Sequence, residues 1–82
     1  MSHPPITASV THFRRLFHRA LGKSPHAYLI ELRVLMAASR LQVTDEKIID
    51  LAHATGFTTL SSFNRSFRRT MNVTPRQWRA QR

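Results

Sequence analysis

Ser61, Asn64, Arg65 and Arg68 recur at intervals of three, one and three residues. On a helix, at about 100° per residue, these positions make one polar stripe. Their chemistry is that of a groove reader. Arg can hold the O6 and N7 edge of guanine, Asn can hold adenine, and Ser can reach a base or a phosphate. Taken alone, such a stripe also fits an ordinary solvated helix face, so its surroundings must decide. Other chemistries have little to work with. The chain has no cysteine, which removes disulfides, thiolate metal sites and Cys nucleophiles. His3, His12, His18, His26 and His53 contain no pair spaced by three or four, and no HExxH occurs. The acids are Glu31, Asp45, Glu46 and Asp50, and the last three read as helix-start charges rather than an acid/base pair. No Gly-rich phosphate loop is present. We therefore expect no enzyme activity, no metal and no cofactor.

Charge narrows the partner. Thirteen Lys and Arg stand against four Asp and Glu, a formal net charge of +9. Such an excess favours a polyanion, nucleic acid before anionic membrane. Most of the cations are Arg, which suits bidentate contact with phosphates and guanine edges. Eighty-two residues fit one small domain. No apolar run approaches membrane-spanning length. The opening MSHPPITASV lacks the layout of a signal peptide. The expected location is cytoplasmic, with no membrane partner.

Helical spacing runs through the chain. Val10, Phe13, Phe17, Ala20 and Leu21 share a face, with Ser9 as N-cap and Gly22 as the stop. This predicts a helix over 9–21, preceded by a disordered tail over 1–8. Ser24-Pro25 restarts the chain in a helix to about Leu41, whose wide apolar set is Tyr28, Leu29, Leu32, Leu35, Met36 and Ala37. A helix apolar over so much of its girth should be central. Thr44 is the expected cap of a third helix with inner residues Ile48, Leu51, Ala52 and Thr55, ended by Gly56. Thr59 should cap a fourth, over 60–71, with Phe63, Phe67 and Met71 inside. Thr74-Pro75 opens a short last helix carrying Trp78, expected as a core plug. The fold class is all-α.

Part of this pattern is said twice. A shift of fifty residues pairs Phe13 with Phe63, Arg15 with Arg65, Phe17 with Phe67, Leu21 with Met71, Ser24 with Thr74, Pro25 with Pro75 and Tyr28 with Trp78. Basic amphipathic helices can match by chance in their Phe and Arg spacing. Chance does not supply a Ser/Thr-Pro restart and an aromatic at the same offset, so we read an internal duplication.

The stretch IIDLAHATGFTTLSSFNRSFRR has the plan of a helix-turn-helix. Phe63 and Phe67 face inward, and Ser61, Ser62, Asn64, Arg65 and Arg68 should face outward. The motif Ile48-x-x-Leu51-Ala52-x-x-x-Gly56-Phe57-x-x-x-Ser61-x-Phe63-x-Arg65-x-Phe67, followed by Val73-Thr74-Pro75 and Trp78, resembles the DNA-binding domain of AraC/XylS transcription regulators. The resemblance covers residues 9–82. It implies two helix-turn-helix units joined by a long central helix, with recognition helices in successive major grooves of double-stranded DNA. It implies DNA-contacting residues on both: Thr11, Arg14 and Arg15 on the first, and Leu60, Ser61, Ser62, Asn64, Arg65, Arg68 and Arg69 on the second. RNA polymerase is a further implied partner.

The sequence also departs from the family. Only MSHPPITAS precedes the first recognition helix, so the first unit is expected to be incomplete and less well braced. Leu35 and Met36 stand where the family usually has polar residues, Arg40 where it usually has an apolar one, and Leu60 at a commonly polar position. Two other readings follow from these features. One is a shortened regulator that pairs with itself or a partner chain through Leu35, Met36, Phe13 and Phe17. The other is a cationic amphipathic membrane binder, against which the capped turns argue.

Overall fold

The computed structural model describes residues 6–82, with side chains from Val10 onward. Five helices occupy these residues: α1 (Ile6–Leu21), α2 (Pro25–Val43), α3 (Ile48–Ala54), α4 (Leu60–Met71) and α5 (Pro75–Ala80). No strand occurs among them, so the all-α expectation holds. Local chemistry fixes most boundaries. The Ser24 hydroxyl accepts from the Ala27 amide at 3.2 Å, and Thr59 from Ser62 at 3.0 Å. Thr74 accepts from the Gln77 amide at 3.1 Å, while the Gln77 side chain accepts from the Thr74 amide at 2.9 Å, a complete capping box. Pro25 and Pro75 each stand in the first turn, where no amide is missed.

The fifty-residue repeat is visible in the backbone. Gly22 has φ 74° and its mate Asn72 has φ 65°. Each ends its helix in the left-handed conformation, and each amide donates back four residues, Gly22 to His18 at 2.7 Å and Asn72 to Arg68 at 2.8 Å. The ring pairs match too: Phe13–Phe17 and Phe63–Phe67 both have centroids 5.6 Å apart, tilted 55° and 52°.

The core sits over the second half. Val34, Ala37, Ala38 and Leu41 of α2 meet Leu51 and Ala52 of α3, Phe57, and Phe63 and Phe67 of α4. Ile30, Ile48, Met71, Val73 and Trp78 pack around them. Trp78 is the plug expected: its indole N–H donates to the Ala38 carbonyl at 2.9 Å, and Gln42 donates to the Trp78 carbonyl at 2.9 Å. α2 packs on all four other helices and is central in that sense. Its buried face is not the one expected. Of Tyr28, Leu29, Leu32, Leu35, Met36 and Ala37, only Ala37 is buried. α2 is apolar on two opposite sides, and the core takes the side where Ala37 and Ala38 let neighbouring helices come close.

Three boundary expectations are corrected. α1 begins at Ile6, so Ser9 lies inside it rather than at its cap. Of the tail expected over 1–8, residues 6–8 are helical and the rest lies outside the described residues. Thr44 closes α2 instead of opening α3: its amide and its hydroxyl both donate to the Arg40 carbonyl, at 2.9 and 2.8 Å. α3 starts three residues later, after Lys47, with no side-chain cap.

Asp45 and Glu46 thus precede α3, and their carboxylates serve arginines. Arg40 grips Glu46 with two bonds, at 3.1 and 2.5 Å, which gives this charged residue its partner. Arg82 binds Asp45 at 2.5 Å and the Thr44 carbonyl at 2.6 Å. Arg79 donates to the Leu41, Glu46 and Thr44 carbonyls. The Arg82 hydrogen bond and charge hold the Asp45 carboxyl below its ordinary range, and the Arg40 hydrogen bond does the same for Glu46. This cluster ties the α2–α3 connection to α5.

Candidate nucleic-acid interface

α3 and α4 are joined by a tight turn built on Thr55, Gly56 and Phe57. The Thr55 hydroxyl is buried and donates to the Leu51 carbonyl at 2.9 Å. Gly56 has φ 98°, a conformation that side chains resist. Space is short there as well, since a Cβ would lie 3.0 Å from Arg33 Nε and 3.1 Å from its Cζ. The Arg33 side chain of α2 therefore lies close against the turn at Gly56. Phe57 then folds inward, edge-on to Phe63 at 5.2 Å.

This packing aims α4. Phe63 and Phe67 are fully buried, so the opposite side of the helix must face outward. Ser61, Asn64, Arg65, Arg68 and Arg69 are exposed, and Leu60 is partly so. Ser62 differs from expectation: it is half-buried, because its face turns toward α2. There it shares a cleft with Ser66, Arg69 and Thr70 of α4 and with Lys23, His26 and Glu31. The Lys23 ammonium pairs with Glu31 in this cleft.

Asn64, Arg65 and Arg68 line a second concavity with Leu60, Thr74, Pro75 and Arg76. A third, smaller one is lined by Arg14, Arg15, His18, Arg19 and Ser24. The two correspond under the fifty-residue shift: Arg14 with Asn64, Arg15 with Arg65, His18 with Arg68, Ser24 with Thr74. Each forms where an outward stripe meets the capped start of the next helix. Thr11, Arg14 and Arg15 are all on the exposed side of α1. Sequence reasoning missed Arg76, Lys23 and His26 as neighbours of the stripes. The signal for Arg76 was its place right after Thr74-Pro75, where the restart brings the chain back beside α4. Arg65, Arg68 and Arg76 therefore line one concavity, Arg69 lines the cleft with Lys23 and His26, and Arg14, Arg15 and Arg19 line the concavity of α1.

The two stripes are not equally supported. None of the described side chains of α1 is buried, and Phe17 is only half-buried, against Tyr28 at 5.5 Å. Among the described residues no helix precedes α1. α2 is 19 residues long, or about 28 Å at 1.5 Å each, and the whole fold is 56 Å long and 22 by 21 Å across.

A scaffold helix packed through Leu51 and Ala52, a glycine turn and an outward polar helix define a helix-turn-helix protein. A family model described as a helix-turn-helix domain matches residues 6–81. The regulator ExsA of Pseudomonas aeruginosa is 39% identical over 66 residues, covering 80% of this chain and 24% of its own length. The activator RhaS of Pectobacterium carotovorum is 39% identical over 71 residues, with 82% and 25% covered. An AraC-type regulator structure from Chromobacterium violaceum is 38% identical with a TM-score of 0.82, covering 87% of this chain and 63% of that one. The chain belongs to the AraC-type helix-turn-helix family, whose members are DNA-binding transcription regulators. It spans about a quarter of the length of these curated relatives. Among the described residues no helix is long and apolar enough to cross a membrane.

Proposed function

We propose that the chain reads double-stranded DNA at two adjacent major grooves, with α4 as the firmly held reader and α1 as the looser one. The observation that carries this reading is the pair of repeat-equivalent concavities, each lined by Arg at the outward stripe of its helix. In α4, Arg65 and Asn64 take base edges, and Ser61 and Leu60 lie toward the groove-entering end. Arg68, Arg69 and Ser62 lie further along or to the side and take backbone phosphates. In α1, Thr11, Arg14 and Arg15 occupy the corresponding places. The length of α2 supports the spacing: about 28 Å of helix plus the flanking units suits readers one DNA turn, about 34 Å, apart.

Several relatives are named activators. We extend the reading on that likeness to transcription activation, and propose RNA polymerase as a partner and the cytoplasm as the location. The test is a binding titration against a duplex selected from a random pool and a scrambled one. Arg65→Ala should cost about 1–3 kcal/mol on the selected duplex and relax choice at one base pair. Arg15→Ala should cost less specificity, because an incompletely braced helix enters the groove less reproducibly. Equal loss on both duplexes for Arg65→Ala would make the chain a general polyanion binder instead.

A further inference from the structure

Among the described residues, α2 carries a second apolar face that is left largely exposed. Taking about 100° per residue, buried Val34, Ala37, Ala38 and Leu41 lie on one side of the helix, and Tyr28, Leu29, Leu32, Leu35, Met36 and Val43 lie on the other. Leu35 is 50% exposed, Met36 59% and Val43 76%. Pro25 and Ser39 share this sector, and every charged side chain of α2 falls outside it. A strip of five turns without one charge is unexpected on a protein of net charge +9. The strip continues onto α1 through the Tyr28–Phe17–Phe13 ring contacts.

We propose that this face is the seam of a homodimer, in which a second copy of the chain lays its own α2 along it. Three observations favour a second copy. Leu29, Leu32, Met36, Ser39 and Val43 are spaced three, four, three and four, and Tyr28, Leu32, Leu35 and Ser39 four, three and four. Both are the 3.5-residue seam by which paired helices interlock. The six α2 side chains offer on the order of 600 Å² per copy, enough with α1's contribution to reach the standard size of a stable pair. A two-fold interface must also be self-complementary, and an uncharged face of so basic a chain meets its own copy without the repulsion that its arginine stripes would bring. An acidic partner would find its complement on the arginine stripes instead. The seam shares no residue with the α4 stripe, so pairing leaves that stripe of both copies free to read.

The test is sedimentation equilibrium of the full chain from low micromolar to ~100 µM. The mass should rise from 9.5 kDa towards twice that value. The Leu35→Glu/Met36→Glu variant should weaken association at least about tenfold while keeping its helical circular dichroism. Because both side chains are already in solvent, the fold should survive; Leu35→Ser/Met36→Ser is the milder variant if it does not. Arg65→Ala, off the seam, should associate like the parent. A single-chain mass across the range overturns the proposal. So does undiminished association of the folded seam variants, or growth beyond a pair.

Discussion

Residues 12–28 and 62–78 have nearly the same wording and nearly the same local geometry. They share a helix, a left-handed stop, a capped proline restart and a tilted Phe pair. Their packing differs completely. Phe67 is fully buried beneath α2 and α3, whereas Phe17 is half-buried and Phe13 is 54% exposed. Short-range chemistry is therefore enough to make a helix and end it. It is not enough to bury it. Burial needs a third element across the helix, and among the described residues only α4 has one, in α3 with its Phe57 turn.

The largest expected difference lies in that burial. Phe67→Ala should cost about 3–5 kcal/mol, since a filled site in a packed core would be left as a cavity. For so small a domain this approaches the whole stability. Phe17→Ala should cost about 1–2 kcal/mol, from loss of a partly solvated contact with Tyr28. Urea denaturation of both variants checks this, and equal losses would mean that α1 is as well braced as α4.

A smaller contrast separates the two glycines. Gly22→Ala should cost about 1 kcal/mol, the strain of a left-handed residue with a Cβ, because nothing lies within 4 Å of the added atom. Gly56→Ala should cost about 2–3 kcal/mol, because its φ of 98° is less hospitable and Arg33 must also give way. If the two melting temperatures fall alike, the Arg33 contact adds nothing to the turn.

These cases show what the sequence could and could not disclose. Ser24, Thr59 and Thr74 were legible as caps because capping is a local bond between residues three apart. Thr44 misled for a related reason. A threonine hydroxyl can also bond back to the carbonyl four residues earlier, and here the arginines claim Asp45 and Glu46 before α3 begins. The outward stripe of α4 was legible from Phe63 and Phe67 alone. The half-burial of Ser62 was not, because it depends on where α2 passes. Periodicity could show that α2 is apolar but could not choose between its two apolar faces. The placement of Arg33 over Gly56, and of Arg79 on three carbonyls, arises from chain segments more than twenty residues apart and left no local signature.

The smallest effect is one of pH, and it concerns the Asp45 and Glu46 carboxylates of the second unit. Arg82 and Arg40 lower the Asp45 and Glu46 carboxyls, so these groups take up protons more readily in the unfolded chain than in the folded one. Their contribution is fully present above the unfolded carboxylate range, near pH 4, and fades as pH falls through the folded values below it. Both groups are open to solvent, so the slope should be shallow and flattened further by salt. The expected result is a modest fall in stability between about pH 5 and pH 2.5, read as urea midpoints at low ionic strength. Asp45→Asn/Glu46→Gln should flatten that limb while leaving the neutral-pH fold intact. An unchanged acid limb in this variant would mean that the arginine cluster holds the α2–α3 connection through the carbonyls of Leu41, Thr44 and Glu46, without help from the carboxylates.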